Sequence, residues 1–99
     1  MPYVKQAIRD SLDDKISDLA DVINHLHRIE GRDRDGMLNY TVTKLLLQCY
    51  PNVSYKTLNE AVGVLECCKL EFYRRQCAPY ENSKVDENGD VYPKQIQET

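Results

Sequence analysis

Leu12, Ile16, Leu19, Ile23 and Leu26 recur at a 4-3-4-3 spacing. That spacing lays five apolar side chains along one stripe of a helix of about four or five turns. Ser11 is the expected N-cap, with Asp13 and Asp14 in the first turn, where negative charge suits the helix dipole. Asp14, Asp18 and Asp21 occupy the opposite face, which reads as solvated. A second helix is predicted from about Met37 to Tyr50, with Leu38, Val42, Leu45 and Cys49 as its inner stripe and Leu46 widening it. The polar run from Gly31 to Gly36 links the two, and Pro51 stops the second, because the residue before a proline avoids the helical region.

The third helix has two possible starts, a capping box of Thr57 with Glu60, or Ser54. It is expected to run to about Cys77, before Ala78-Pro79. Leu58, Ala61, Leu65, Cys68 and Phe72 share one face, and Val62, Val64, Cys67 and Leu70 cover much of the rest. A helix apolar nearly all round is buried on more than one side. A chain this short has only two other helices to cover it, so a second copy is expected to complete the burial. Gly63, mid-helix, costs roughly 1 kcal/mol against alanine, and a close helix crossing would explain it. Beyond Pro79 the chain turns polar, and Asn88-Gly89 signals a tight turn, which would close a small hairpin between Lys84-Val85 and Val91-Tyr92. Residues 93–99 read as frayed. The prediction is one all-α domain over residues 1–99, assembled as a homodimer or larger. It has an arm (1–9), three helices (10–78) and a polar tail (79–99).

Charge and cysteines narrow the function classes. The 99 residues carry a net charge of −3, which argues against coating DNA or RNA, since backbone binding needs a basic face. The opening Met-Pro-Tyr-Val-Lys is too polar for a secretory signal, and no apolar run reaches the length of a membrane span. Cys67 and Cys68 are adjacent on a helix and ill placed to pair, so the four cysteines read as small core thiols of a reduced, cytoplasmic protein.

Candidate chemistry is sparse. His25, His27 and the cysteines lack zinc spacing: there is no C-x-x-C pair, and neighbours on a helix diverge by about 100°. Asp86, Asn88 and Asp90 alternate like the start of a calcium loop, but Gly89 is misplaced and Gln97 stands where a bidentate glutamate is needed. Cys49, Cys67 and Cys68 fall on predicted buried stripes, leaving Cys77, after Arg74-Arg75, as the one thiol to watch. No glycine-rich phosphate loop, G-x-S-x-G or H-E-x-x-H occurs, so no catalytic residue, metal or cofactor is assigned.

One constellation remains: Lys69, Tyr73, Arg74, Arg75 and Tyr80, followed by Lys84 and Tyr92. Lys69 and Tyr73 stack on one helix face, while Arg74 and Arg75 fan to its neighbours. Such a set could hold phosphate on guanidinium groups and stack a base on a tyrosine ring, which a nucleotide-sized anion requires. The plainer reading is that cations at a helix C-terminus complement its dipole, that Glu71 pairs with Arg75, and that the tyrosines anchor the tail on the core. Pro2, Tyr3, Val4 and Lys5 of the arm, with Asn39, Tyr40, Thr43 and Lys44, would extend the pocket if arm and tail fold over the helix ends.

MPYVKQ, LNYTVTKLL and the long run YKTLNEAVGVLECCKLEFYRR, resumed as CAPYENSKVDENGDVY, resemble a family of small uncharacterised proteins found in tailed phages and scattered prokaryotic genomes. The resemblance implies a small phage-type accessory protein working inside a bacterial or archaeal cell, and it brings no catalytic residues. By analogy with such proteins, the expected function is non-enzymatic binding: capture of a small anionic, nucleotide-like ligand, or alternatively docking on a host protein.

Overall fold

In the computed structural model, residues 1–94 are described. They are helical in three runs, and no strand occurs among them. The fold is all-α, as the periodicity predicts. The chain divides into two compact units, Met1–Val64 and a second from Leu65 onward.

The first helix, α1, spans Gln6–Glu30 and starts five residues before Ser11. Ser11 is not its cap: the hydroxyl donates back to the Ala7 carbonyl at 3.1 Å from inside the helix. The start lies at Lys5, whose extended backbone (φ −62°, ψ 152°) turns into the first turn. Gln6 Nε2 donates to Asp10 Oδ1 at 2.7 Å, and Arg9 Nε donates to the Val4 carbonyl at 2.7 Å, tying the short arm to the helix. Ile8 lies four residues before Leu12, so the early start also lengthens the apolar stripe.

Gly31 ends α1 in the left-handed region (φ 67°), and the Arg32 amide closes back on the Leu26 carbonyl at 3.1 Å. This is the glycine-ended helix stop that satisfies otherwise orphaned carbonyls. The linker is therefore shorter than its polar composition implies. Asp33 caps α2 (Arg34–Cys49), its carboxylate accepting from the Asp35 amide at 3.1 Å. Arg34, Asp35 and Gly36 are thus the first turn of a helix. Pro51 falls just beyond the end of α2, as expected.

The third run opens at Tyr55. Of the two possible starts, the chain uses Ser54: its Oγ accepts from the Thr57 amide at 3.1 Å, while Thr57 Oγ1 accepts from the Ser54 amide at 3.0 Å. Thr57 takes the role that glutamate or glutamine plays in the usual reciprocal cap. Helix α3 covers Tyr55–Phe72, and the boundary between the two units falls within it.

The chain does not stop at Ala78-Pro79. A π-helical turn, Tyr73–Cys77, carries it into α4, Ala78–Asn88. Pro79 has no amide to give the Arg75 carbonyl, and its ring crowds that carbonyl. Widening the turn relieves both, and the Ala78 amide bonds to Tyr73 instead, five residues back. The expected hairpin is absent, because Lys84 and Val85 are helical. Asn88-Gly89 ends a helix: Gly89 (φ 85°, ψ 152°) sits in a region that side chains avoid, and its amide bonds to Val85 at 2.8 Å.

Ile23, 8 % exposed, is the sole buried residue among those described. It lies in the first unit near the α1–α2 connection, where Leu26, His27, Met37 and Thr41 are half-buried. The rest of the α1 stripe is open: Leu19 is 39 %, Leu12 48 % and Ile16 60 % exposed. The all-round apolar α3 is no better covered, with Leu58, Val62, Leu65, Leu70 and Phe72 all exposed. Cys49, Cys67 and Cys68 are exposed rather than buried, and Cys77 is the most covered of the four. The stripes lie where the periodicity puts them, and among the described residues most of their side chains are exposed. The space a Gly63 side chain would enter is also open, with no described residue within 4 Å of it, so the close crossing expected there is not seen among the described residues.

Candidate functional site

The constellation predicted from the sequence lies entirely in the second unit. Lys69 lies in the last turn of α3, Tyr73, Arg74 and Arg75 form most of the π turn, and Tyr80 is in the first turn of α4. Helical continuity through the π turn, not a tail folding back, sets where they point.

These side chains are largely engaged with neighbours on the same run. Lys69 Nζ lies 3.4 Å from Glu66 Oε1. Arg74 Nη2 donates to both carboxylate oxygens of Glu71, at 2.9 and 3.3 Å. Glu71 therefore pairs with the arginine three residues on, not with Arg75 as the helical spacing suggested. Tyr80 carries Lys84 over its ring, 5.5 Å from the centroid, while Lys84 Nζ donates to Glu87 Oε2 at 3.1 Å. Arg75 makes no ion pair or hydrogen bond among the described residues. Pairs this exposed are worth well under about 1 kcal/mol each, so a bound anion could recruit either arginine cheaply.

A groove of about 410 Å³ does form in this unit, from the π turn, one face of α4 and the segment after Gly89. Tyr73 and Tyr92 contribute rings, Lys84 and Asn88 polar groups, Glu81 and Asp90 carboxylates, and Val85 and Val91 apolar surface. Asp90 Oδ1 accepts from the Tyr92 amide at 2.9 Å, which shapes the end of the groove. Of the five predicted residues only Tyr73 lines it. Lys69, Arg74, Arg75 and Tyr80 lie outside that lining.

Glu81, Val85 and Asn88 lie on α4, which the sequence reading does not predict, and Asp90 follows its glycine stop. The signal was present: Glu81, Lys84, Val85 and Asn88 share one face at helical spacing once Pro79 is read as a first-turn residue. Between Leu65 and Lys94 the unit carries five cations against six carboxylates, so its field does not favour anions as a whole. Selectivity for one would rest on local placement of Arg75 and Lys84. Among the described residues no group of His, Cys, Asp and Glu is arranged to hold a metal, and no helix is long and apolar enough to cross a membrane.

A second hollow, of about 400 Å³, lies in the first unit, between the arm and α1. Its lining is Pro2, Tyr3 and Val4 from the arm and Arg9, Leu12, Asp13 and Ile16 from α1. It is an apolar trough at the uncovered end of the α1 stripe.

Fold and surface together define a small all-α protein with apolar helix faces open to solvent and a tyrosine-flanked groove in its second unit. The chain belongs to the domain family of unknown function DUF6899, which it matches over residues 1–91. That span includes both hollows except Tyr92 at the groove's end. No curated relative and no solved structure matches the chain.

Proposed function

We propose that this protein is a non-enzymatic binding protein whose partner is a polypeptide, docked on the exposed apolar faces of its helices. One observation carries the reading: across the described residues only Ile23 is buried, while apolar side chains on α1, α2 and α3 remain in water. Monomers seldom leave large contiguous apolar surface exposed, and such surface marks interaction sites. The resemblance to small phage-type proteins supports an accessory role of this kind, exercised by binding inside a host cell.

A second reading is favoured by the groove at Tyr73. Its volume falls within the range of small-molecule sites, and two tyrosine rings with a nearby Lys84 suit a stacked, anionic, nucleotide-like ligand. Lys84, the cation in the lining, would meet the phosphate, and Arg74 and Arg75, which follow Tyr73 in the π turn but lie outside the lining, would have to swing in to reach it, with Lys69 and Tyr80 farther out. Native mass spectrometry of the purified protein separates the two. A bound polypeptide mass supports the first reading. A single chain retaining a nucleotide-sized mass, lost on Arg74→Ala/Arg75→Ala, overturns it in favour of the second.

A further inference from the structure

We infer that the groove at Tyr73 takes a cationic side chain of the polypeptide partner, the ammonium of a lysine or the guanidinium of an arginine. This deepens the polypeptide-binding reading and rests on it. The first argument is charge. Two carboxylates, Glu81 and Asp90, line the groove of about 410 Å³ against a single cation, Lys84. That cation is already engaged. Its Nζ donates to Glu87 Oε2 at 3.1 Å and lies 5.5 Å from the centroid of the Tyr80 ring, and neither Glu87 nor Tyr80 belongs to the lining. Glu81 and Asp90 have no cationic partner among the described residues. Asp90 accepts from the Tyr92 amide at 2.9 Å through Oδ1, which leaves its charge uncompensated. Residues 95–99, Gln-Ile-Gln-Glu-Thr, supply no cation either. The lining therefore attracts a cation and opposes a phosphate.

The second argument is the kind of surface. Ammonium and guanidinium groups are held by tyrosine rings and by carboxylates. The protein already uses this pairing on α4, where Tyr80 and Glu87 share the Lys84 ammonium. Tyr73 and Tyr92 with Glu81 and Asp90 bring the same two kinds of group, doubled, to the groove. Val85 and Val91 add apolar surface, which matches the aliphatic stem of lysine or arginine. Head and stem of a basic side chain thus both meet surface of their own kind. This assignment competes with the nucleotide reading for one groove, and the two predict opposite roles for Lys84.

The test is an amide NMR titration of the full-length protein. The probes are capped glycine pentapeptides carrying lysine, arginine or norleucine at the centre, and adenosine monophosphate as the anion. The lysine and arginine peptides should shift Tyr73 and residues 81–92 saturably, and norleucine and the nucleotide should not. Glu81→Gln and Asp90→Asn should each weaken peptide binding about two- to fivefold. Asparagine keeps the acceptor for the Tyr92 amide, so Asp90→Asn reports on charge alone even if Glu81→Gln, in the first turn of α4, costs helix. Lys84→Gln should strengthen peptide binding, because it removes the competing cation and frees Glu87. Basic peptides that fail to saturate these amides overturn the inference, as does binding indifferent to Asp90→Asn. Nucleotide binding at the groove that Lys84→Gln abolishes also overturns it. The polypeptide-binding reading stands or falls separately: it survives if native mass spectrometry finds a foreign chain, and falls if it finds a lone chain with a small ligand.

Discussion

Pro79→Ala probes the joint on which the second unit is built. Proline inside a helix costs about 3 kcal/mol relative to alanine, yet in a first turn it costs little. Pro79 is both: it stands in the first turn of α4, but Phe72, Cys77 and Ala78 before it are already helical. The π turn is the compromise that keeps the run continuous. Alanine restores an amide for the Arg75 carbonyl and removes the crowding ring, so the turn should tighten to α-helix. Set against the gain is the freedom alanine returns to the unfolded chain, roughly 0.4–1 kcal/mol. The net ceiling is therefore a stabilisation of about 2 kcal/mol, or a Tm rise of several degrees for a chain this size. A second consequence is geometric. Losing the extra residue of the wide turn rotates α4 by about 100° about its axis relative to the end of α3. Lys84, Val85 and Asn88 would swing away from Tyr73, and the groove would be lost. Thermal melting reads the first effect. Proton–proton NMR contacts between Tyr73 and the Lys84–Val85 turn, with hydrogen exchange at Ala78, read the second. An unchanged or lower Tm with the contacts retained would refute the claim that Pro79 causes the π turn.

Further outcomes follow from individual positions. Ser54→Ala removes the hydroxyl that accepts from the Thr57 amide and should cost about 1 kcal/mol, seen as earlier exchange of the first α3 amides. Gly31→Ala forces a side chain into φ 67° at about 1–2 kcal/mol, lowering the Tm without altering sedimentation. Gly63→Ala meets nothing within 4 Å and should stabilise α3 by up to about 1 kcal/mol; a lower Tm with weaker association would instead place a partner helix against that spot.

The elements of the fold were legible where a local pattern determined them. The α1 stripe, the Pro51 stop and the all-α class follow from spacing and from proline geometry alone. Boundaries were lost where two local solutions compete. Ser11 is a good cap, yet the chain already has helix formers and a stripe residue, Ile8, ahead of it, and its hydroxyl back-bonds to Ala7 instead. Gly31 to Gly36 looks like a linker, yet Asp33 can cap, which makes the rest a first turn.

Pro79 shows the deeper limit. The rule that a helix stops before proline assumes a regular α turn, and a π turn evades it by moving the offended carbonyl. With α4 unseen, Asn88-Gly89 became a hairpin signal and the groove lining of Glu81, Val85 and Asn88 went unread. The cysteines fail for a different reason. Periodicity says which face must be covered, not which molecule covers it. Cys49, Cys67 and Cys68 lie on stripes that periodicity marks as apolar, and they are exposed, Ile23 being the sole buried residue among those described. The same fact constrains function. An apolar stripe that its own fold leaves in water has a use only when something occupies it.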